Sequence, residues 1–214
     1  MSARENTLHR IRTALGKSAG RSEREEIAAY IRQHAPGPMP GAEWDIVTRF
    51  RERALNSASS VDQVTSPGEL PQAVARYLRE QRLPLQAVCW PELAQLDWSG
   101  QEMIVEVRPA NGSDLVGITG AFCAIAETGT LVMLSGKDTP ASTSLLPETH
   151  VAVVDTTRIV KGMEEAWVLL RRECATMPRA VNFISGPSRT ADIEQTIVLG
   201  AHGPYRVHIL IVQR

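Results

Sequence analysis

Six short apolar runs punctuate this sequence after Ser60, and they leave little choice of architecture: QAVCW, MIVEV, TLVML, HVAVV, VNFIS and RVHILIV. Each has strand length, and between them lie segments with helical spacing, such as Leu70, Val74, Tyr77 and Leu78. Strands alternating with helices predict an α/β fold whose sheet is mostly parallel and covered by helices. A helix is expected through Met163, Trp167, Leu170 and Cys174, which share one apolar face, and a shorter one around Ile193 and Ile197.

The first third reads differently. Leu8, Ile11 and Leu15 recur at helical spacing, as do Ile27, Tyr30 and Ile31 beyond the charged run RSEREE, which reads as a solvated helix face. Pro36, Pro38 and Pro40 then interrupt any helix. The expected organisation is an N-terminal helical arm and proline hinge over 1–40, and a single α/β domain over 41–214. That domain opens with a helix from Glu43 to Asn56 that carries Val47, Phe50 and Ala54 on one face.

Composition narrows the function classes. The chain is 43% hydrophobic and 22% charged with a net charge of −1, so bulk electrostatic binding to nucleic acid has no basis in it. The N-terminus lacks a secretory apolar core, and no segment reaches the about 20 apolar residues of a membrane span, so the expected compartment is the cytoplasm. Cys89, Cys123 and Cys174 are far apart and form no CxxC pair. No iron–sulfur or thiolate zinc site is expected within the chain, no HxH or HxxxH spacing suggests another metal, and no GxGxxG follows a strand.

Ligands of parallel sheets bind where strands end, so three segments attract attention. In GITGAFCAIAETGT, Glu127 is set among small residues ahead of an apolar run. A partly buried carboxylate there suits acid, base or nucleophile work; equally, it fixes the glycine turns through backbone amides or Arg189. In ISGPSRTADIE a strand is expected to end at Gly186 and a helix to begin near Thr190. Its free N–H groups, with Ser188, Arg189 and Thr190, suit a phosphate or carboxylate; capping, with Asp192 near the positive helix end, accounts for the same residues and ranks ahead of it. Arg189 is the residue that a cap does not require. In LGAHGPYRVHI a tight turn carries His202 into the last strand, while His150 reads as closing a turn and His208 as packed or at an edge.

Taken together and in order, AIAETGTLVML, LLPETHVAVVD with IVKGMEEAW, and GPSRTADIEQTIVLGAHGP resemble the lactate utilisation protein C family, also called the LUD domain or YkgG family. The resemblance is strongest from Asp114 to the C-terminus. It implies a fold like that of the sugar-phosphate isomerases and coenzyme A transferases. It also implies a part in oxidising L-lactate to pyruvate beside iron–sulfur partner proteins, with no cofactor in this chain. On this resemblance the chain is similar to the short, cluster-free member, a subunit of an L-lactate dehydrogenase system without a redox centre of its own.

The ETG segment resembles the glutamate-plus-glycine loop with which coenzyme A transferases attack a thioester, although fold does not fix function. Glu127, Thr128, Gly129, Ser188, Arg189, Thr190, Asp192 and His202 are expected to line one pocket for a small anion, with Glu127 as the candidate catalytic residue. Two other readings stand beside the accessory-subunit one. The first is a stand-alone transferase or isomerase using Glu127 on a thioester or sugar phosphate. The second is an interaction module that docks through its N-terminal arm.

Overall fold

The computed structural model describes residues 2–16, 21–35, 37, 41, 43–193 and 196–213; of 21, 22, 191–193, 196 and 197 only the backbone is described. The chain divides into two compact units, Met1–Gly41 and Ala42–Arg214.

The first unit contains α1 (Ala3–Leu15) and α2 (Arg21–Gln33). Ser2 and Glu5 start α1 by reciprocal capping: the Glu5 N–H donates to Ser2 Oγ at 3.3 Å and the Ser2 N–H to Glu5 Oε2 at 2.6 Å. Gly16 ends it in the left-handed conformation, at φ 60°. Ile11, Leu15, Tyr30 and Ile31 are exposed. The expected hinge at Pro36, Pro38 and Pro40 lies outside the described residues.

The second unit begins with α3 (Ile46–Asn56), β1 (Ser60–Val64), α4 (Leu70–Glu80), β2 (Gln86–Cys89), β3 (Ile104–Val107) and β4 (Val116–Gly120). A hairpin of β5 (Cys123–Ile125) and β6 (Thr130–Leu134) follows, then α5 (Ser142–Leu145), β7 (Thr149–Asp155), β8 (Ile159–Val160) and α6 (Met163–Glu173). The chain closes with β9 (Val181–Ile184), β10 (Arg189–Ile193), β11 (Thr196–Leu199) and β12 (Arg206–Val212). Asp45 caps α3, its Oδ1 accepting the Thr48 N–H at 2.8 Å, and the expected inward face holds, with Phe50 and Ala54 fully buried.

Six strands form an all-parallel sheet in the order β1-β12-β7-β4-β2-β3. Side chains alternate across it. Val151, Leu210 and Val212 face the α4 side, where they pack with Leu70, Val74 and Leu78. Ala152, Val154, Ile209 and Ile211 face α3 and a second sheet, where they pack with Phe50, Leu131 and Met133. That second sheet, β8-β5-β6-β9, is a layer where helices alone were expected. Its outer face holds Cys123, Ile125 and Val132 against Ala166 of α6.

Strand order reverses between β2 and β4. From β2 the chain moves outward to β3, and its connection stays on the α4 face, where Leu93, Trp98 and Met103 pack. From β4 it moves the other way, towards β7, passing through the β5–β6 hairpin on the opposite face. Neighbouring strands whose connections leave in opposite directions on opposite faces open a crevice at their carboxyl ends.

Candidate functional site

Glu127, Thr128 and Gly129 form the turn between β5 and β6. Ile125 accepts the Gly129 N–H at 2.9 Å, and Gly129 has a φ of 70°, which favours glycine. Its bare Cα lies against α3: a Cβ there would stand 2.3 Å from Ala54 N. Gly186, at φ 82°, meets the end of the same helix, where a Cβ would lie 2.0 Å from the Ser57 carbonyl oxygen. The two glycines thus seat both loops on the C-terminal end of α3, which delivers the chain to the amino end of β1.

A chain of hydroxyls joins these loops. Thr128 Oγ1 lies 2.7 Å from Thr130 Oγ1, which lies 2.7 Å from Ser185 Oγ. Ser185 follows β9, which pairs antiparallel with β6 through Leu131 and Ile184. The ETGT turn and the SGPSRT segment therefore meet. Thr130 and Ser185 were not among the sequence candidates; their signal was a hydroxyl on each flank of motifs already singled out.

Ser188 organises the next part. Its N–H donates to the Pro204 carbonyl at 2.9 Å, its own carbonyl accepts the Gly200 N–H at 2.9 Å, and its Oγ accepts the His202 N–H at 3.4 Å. Pro204 stands two residues before β12, so the GPSRT and GAHGP segments are held together at the amino end of that strand. Gly203 also faces the Leu145 carbonyl of α5, just ahead of β7. Arg189 and His202 are exposed and Thr190 is buried.

Two expectations are corrected. The segment after Ser188 is no helix: Arg189–Ile193 and Thr196–Leu199 pair as an antiparallel hairpin, with Arg189 opposite Leu199 and Thr190 opposite Val198. Thr190 and Val198 are β-branched, and their fit to a pleated surface outweighs the capping pattern. No helix N-terminus is offered there to an anion. Asp192 lies on this hairpin; its side chain is outside the described residues. The cluster also sits at the amino edge of the parallel sheet rather than at its carboxyl edge, because β5 carries the chain back after β4.

Glu127 is half-buried, and its N–H donates to the Lys161 carbonyl at 2.9 Å. Its Oε2 lies 3.4 Å from where a Gly162 Cβ would stand, beside the first turn of α6. The positive end of the helix dipole favours a carboxylate there. Glu165 Oε2 accepts the Gly162 N–H at 2.9 Å, so two acids face the start of this helix.

The remaining candidates are structural. His150 is fully buried, with Nε2 2.8 Å from Thr119 Oγ1, and burial pushes its pKa down to about 4. His208 is packed rather than at an edge: it stacks on Tyr77 with ring centroids 3.9 Å apart, Nδ1 lies 2.8 Å from Ser60 Oγ, and burial lowers its pKa to about 4. Cys89 and Cys123 are buried thiols, their pKa raised by burial to about 11. Trp167 packs against Phe183, while Met163, expected on the same apolar face, is 39% exposed at the first position of α6.

Comparison with known proteins adds ancestry to this geometry. The LUD domain family model matches residues 91–212, a stretch that contains every residue of the amino-edge cluster except the α3 end. The chain is 39% identical to Lactate utilization protein C of Bacillus subtilis over 131 residues, 58% of this chain and 53% of that protein. It is 35% identical to the protein of the same name from Bacillus licheniformis over 132 residues, again 58% of this chain and 53% of the relative. The matched part thus spans about half the length of these relatives. A crystal structure of a DUF162 family protein from Deinococcus radiodurans aligns with a TM-score of 0.56 at 23% identity, covering 81% of this chain and 99% of that one. That likeness concerns the fold.

Proposed function

Because the chain belongs to the LUD domain family, we propose that it serves in lactate utilisation, as an accessory subunit of a cytoplasmic iron–sulfur system that oxidises L-lactate to pyruvate. The observation that carries the reading is the similarity to proteins named Lactate utilization protein C, at 39% and 35% identity. The redox centres belong to partner proteins in this reading, and the chain contributes a small-anion site at the amino edge of its sheet.

Arg189 supplies the positive charge that a carboxylate requires, and its exposure leaves the guanidinium reachable from solvent. Thr128 and Ser188 contribute hydroxyl donors and His202 a ring nitrogen. Gly129 shapes the turn, while Thr190 and Asp192 belong to the hairpin that carries Arg189. Glu127, in the same turn as Thr128 and Gly129, is in this reading the group that exchanges a proton with a bound hydroxy acid.

The test is L-lactate-dependent reduction of an artificial electron acceptor in extracts of a strain lacking the protein. Activity should be low, return on adding the purified chain, and be absent from the chain alone. Unchanged activity in the deletion extract contradicts the reading. Turnover of a thioester or sugar phosphate by the chain alone, lost in Glu127→Gln, would replace it with the transferase or isomerase reading.

A further inference from the structure

The crevice where strand order reverses is far from the cluster just described, at the opposite edge of the sheet. It is a formed cavity of about 360 Å³ whose floor is Leu70, Leu93, Val153 and Val212. A second hollow of about 520 Å³ adjoins it, and the two share Glu92, Ala121, Asp155 and Arg158. Glu92 follows β2 in the 3-10 turn Pro91–Leu93, and Ala121 follows β4, so the cavity opens between the two strands whose connections part.

We infer that this carboxyl-edge crevice is a second ligand site, which takes a compact organic cation: a protonated amine carried on a short apolar body.

Three observations argue for that chemistry. Glu92 lays its carboxyl end against Gly120: its Oε1 lies 1.8 Å from where a Gly120 Cβ would be, so a side chain there would displace the carboxylate from its position beside the Gly120 N–H. Although the residue as a whole is exposed, the carboxyl end loses water in the crevice, which raises its pKa above the usual glutamate value against the opposing pull of that N–H.

The cation of the crevice is already committed. Arg158 makes a two-pronged contact with Glu173 at 3.0 and 2.9 Å, donates through Nε to the Phe122 carbonyl at 2.8 Å, and lies over the Phe122 ring. Asp155 adds a further carboxylate, whose Oδ1 accepts the Thr157 N–H at 2.8 Å. Glu173, which also pairs with Arg172, matches the Arg158 charge from outside the crevice lining, so the Glu92 carboxylate decides the ligand's sign and favours a donor-bearing cation over a small carboxylate. The apolar floor sets the rest of the ligand, since burial of methylenes is what such a surface rewards.

The experiment follows backbone amide signals by NMR while n-butylamine or butyrate is added to the full chain. Butylamine should shift the Gly120 and Ala121 amides saturably and butyrate should not. Glu92→Gln, which keeps the shape of the side chain, should weaken the amine at least tenfold with the spectrum elsewhere unchanged. Gly120→Ala, which evicts the carboxylate without removing its charge, should weaken it as well. Butyrate binding as tightly as the amine, silent Gly120 and Ala121 amides, or wild-type affinity in Glu92→Gln would each overturn the inference.

Discussion

Thr130 Oγ1 and Ser185 Oγ lie 2.7 Å apart although 55 positions separate them in sequence, and through this bond the β5–β6 turn is tied to the loop that carries Ser188 and Arg189. Ser185→Ala removes the link and leaves Thr130 bonded to Thr128. Loss of a part-buried hydroxyl bond costs about 1 kcal/mol, to be read from the urea midpoint. Calorimetric titration with a small carboxylate should show weaker binding in the same variant, since the two halves of the proposed anion site are no longer held in register.

Gly129 answers to a harsher constraint. An alanine there must adopt a φ of 70° and place a Cβ 2.3 Å from Ala54 N and 2.4 Å from the Arg53 carbonyl carbon. Helix backbone cannot yield as a side chain would, so Gly129→Ala should cost about 3 kcal/mol or more in thermal or urea unfolding.

Phe50 is fully buried where α3 meets both sheets, beside Leu131, Ile209 and Ile211. Phe50→Ala leaves a cavity between layers that cannot close without shifting a sheet, with an expected loss of about 3–5 kcal/mol in urea unfolding.

His150 and His208 make stability depend on pH. Both are held near a pKa of about 4 by burial, against a usual value of 6.5. Between these values the unfolded chain binds protons that the folded chain refuses. Their contribution is therefore fully present above pH 6.5 and falls away as pH drops towards 4. Each is worth about 3 kcal/mol across that window. His208→Phe keeps a ring stacked on Tyr77 while removing one titration, so the slope of the urea midpoint against pH should become shallower by about half of the histidine part.

The legible part of the fold was its periodic part. The runs QAVCW, MIVEV, TLVML, HVAVV, VNFIS and RVHILIV all form strands, and Val47, Phe50 and Ala54 lie on one side of a helix as their spacing requires. VGITG was harder to see: two glycines and a threonine hide β4, whose residues are all buried and whose neighbours supply the apolar surface. The Arg189 hairpin was misread because Ser, Thr and Asp before an apolar run signal a cap as readily as they decorate a strand, and only tertiary pairing separates the two. The meeting of the ETGT and SGPSRT segments depends on the β6–β9 pairing, which no local pattern encodes. Glu92 was invisible for a related reason: its setting is made by Gly120 on a different strand.

The most direct measurement is growth on L-lactate as sole carbon source by a strain that lacks this protein and any other lactate oxidase, complemented with wild type or with Glu127→Gln. The uncomplemented strain should grow on pyruvate but not on L-lactate, wild type should restore growth, and a stably folded Glu127→Gln chain should not. Growth on L-lactate without the protein contradicts the proposed role, and full complementation by Glu127→Gln contradicts the part proposed for that carboxylate.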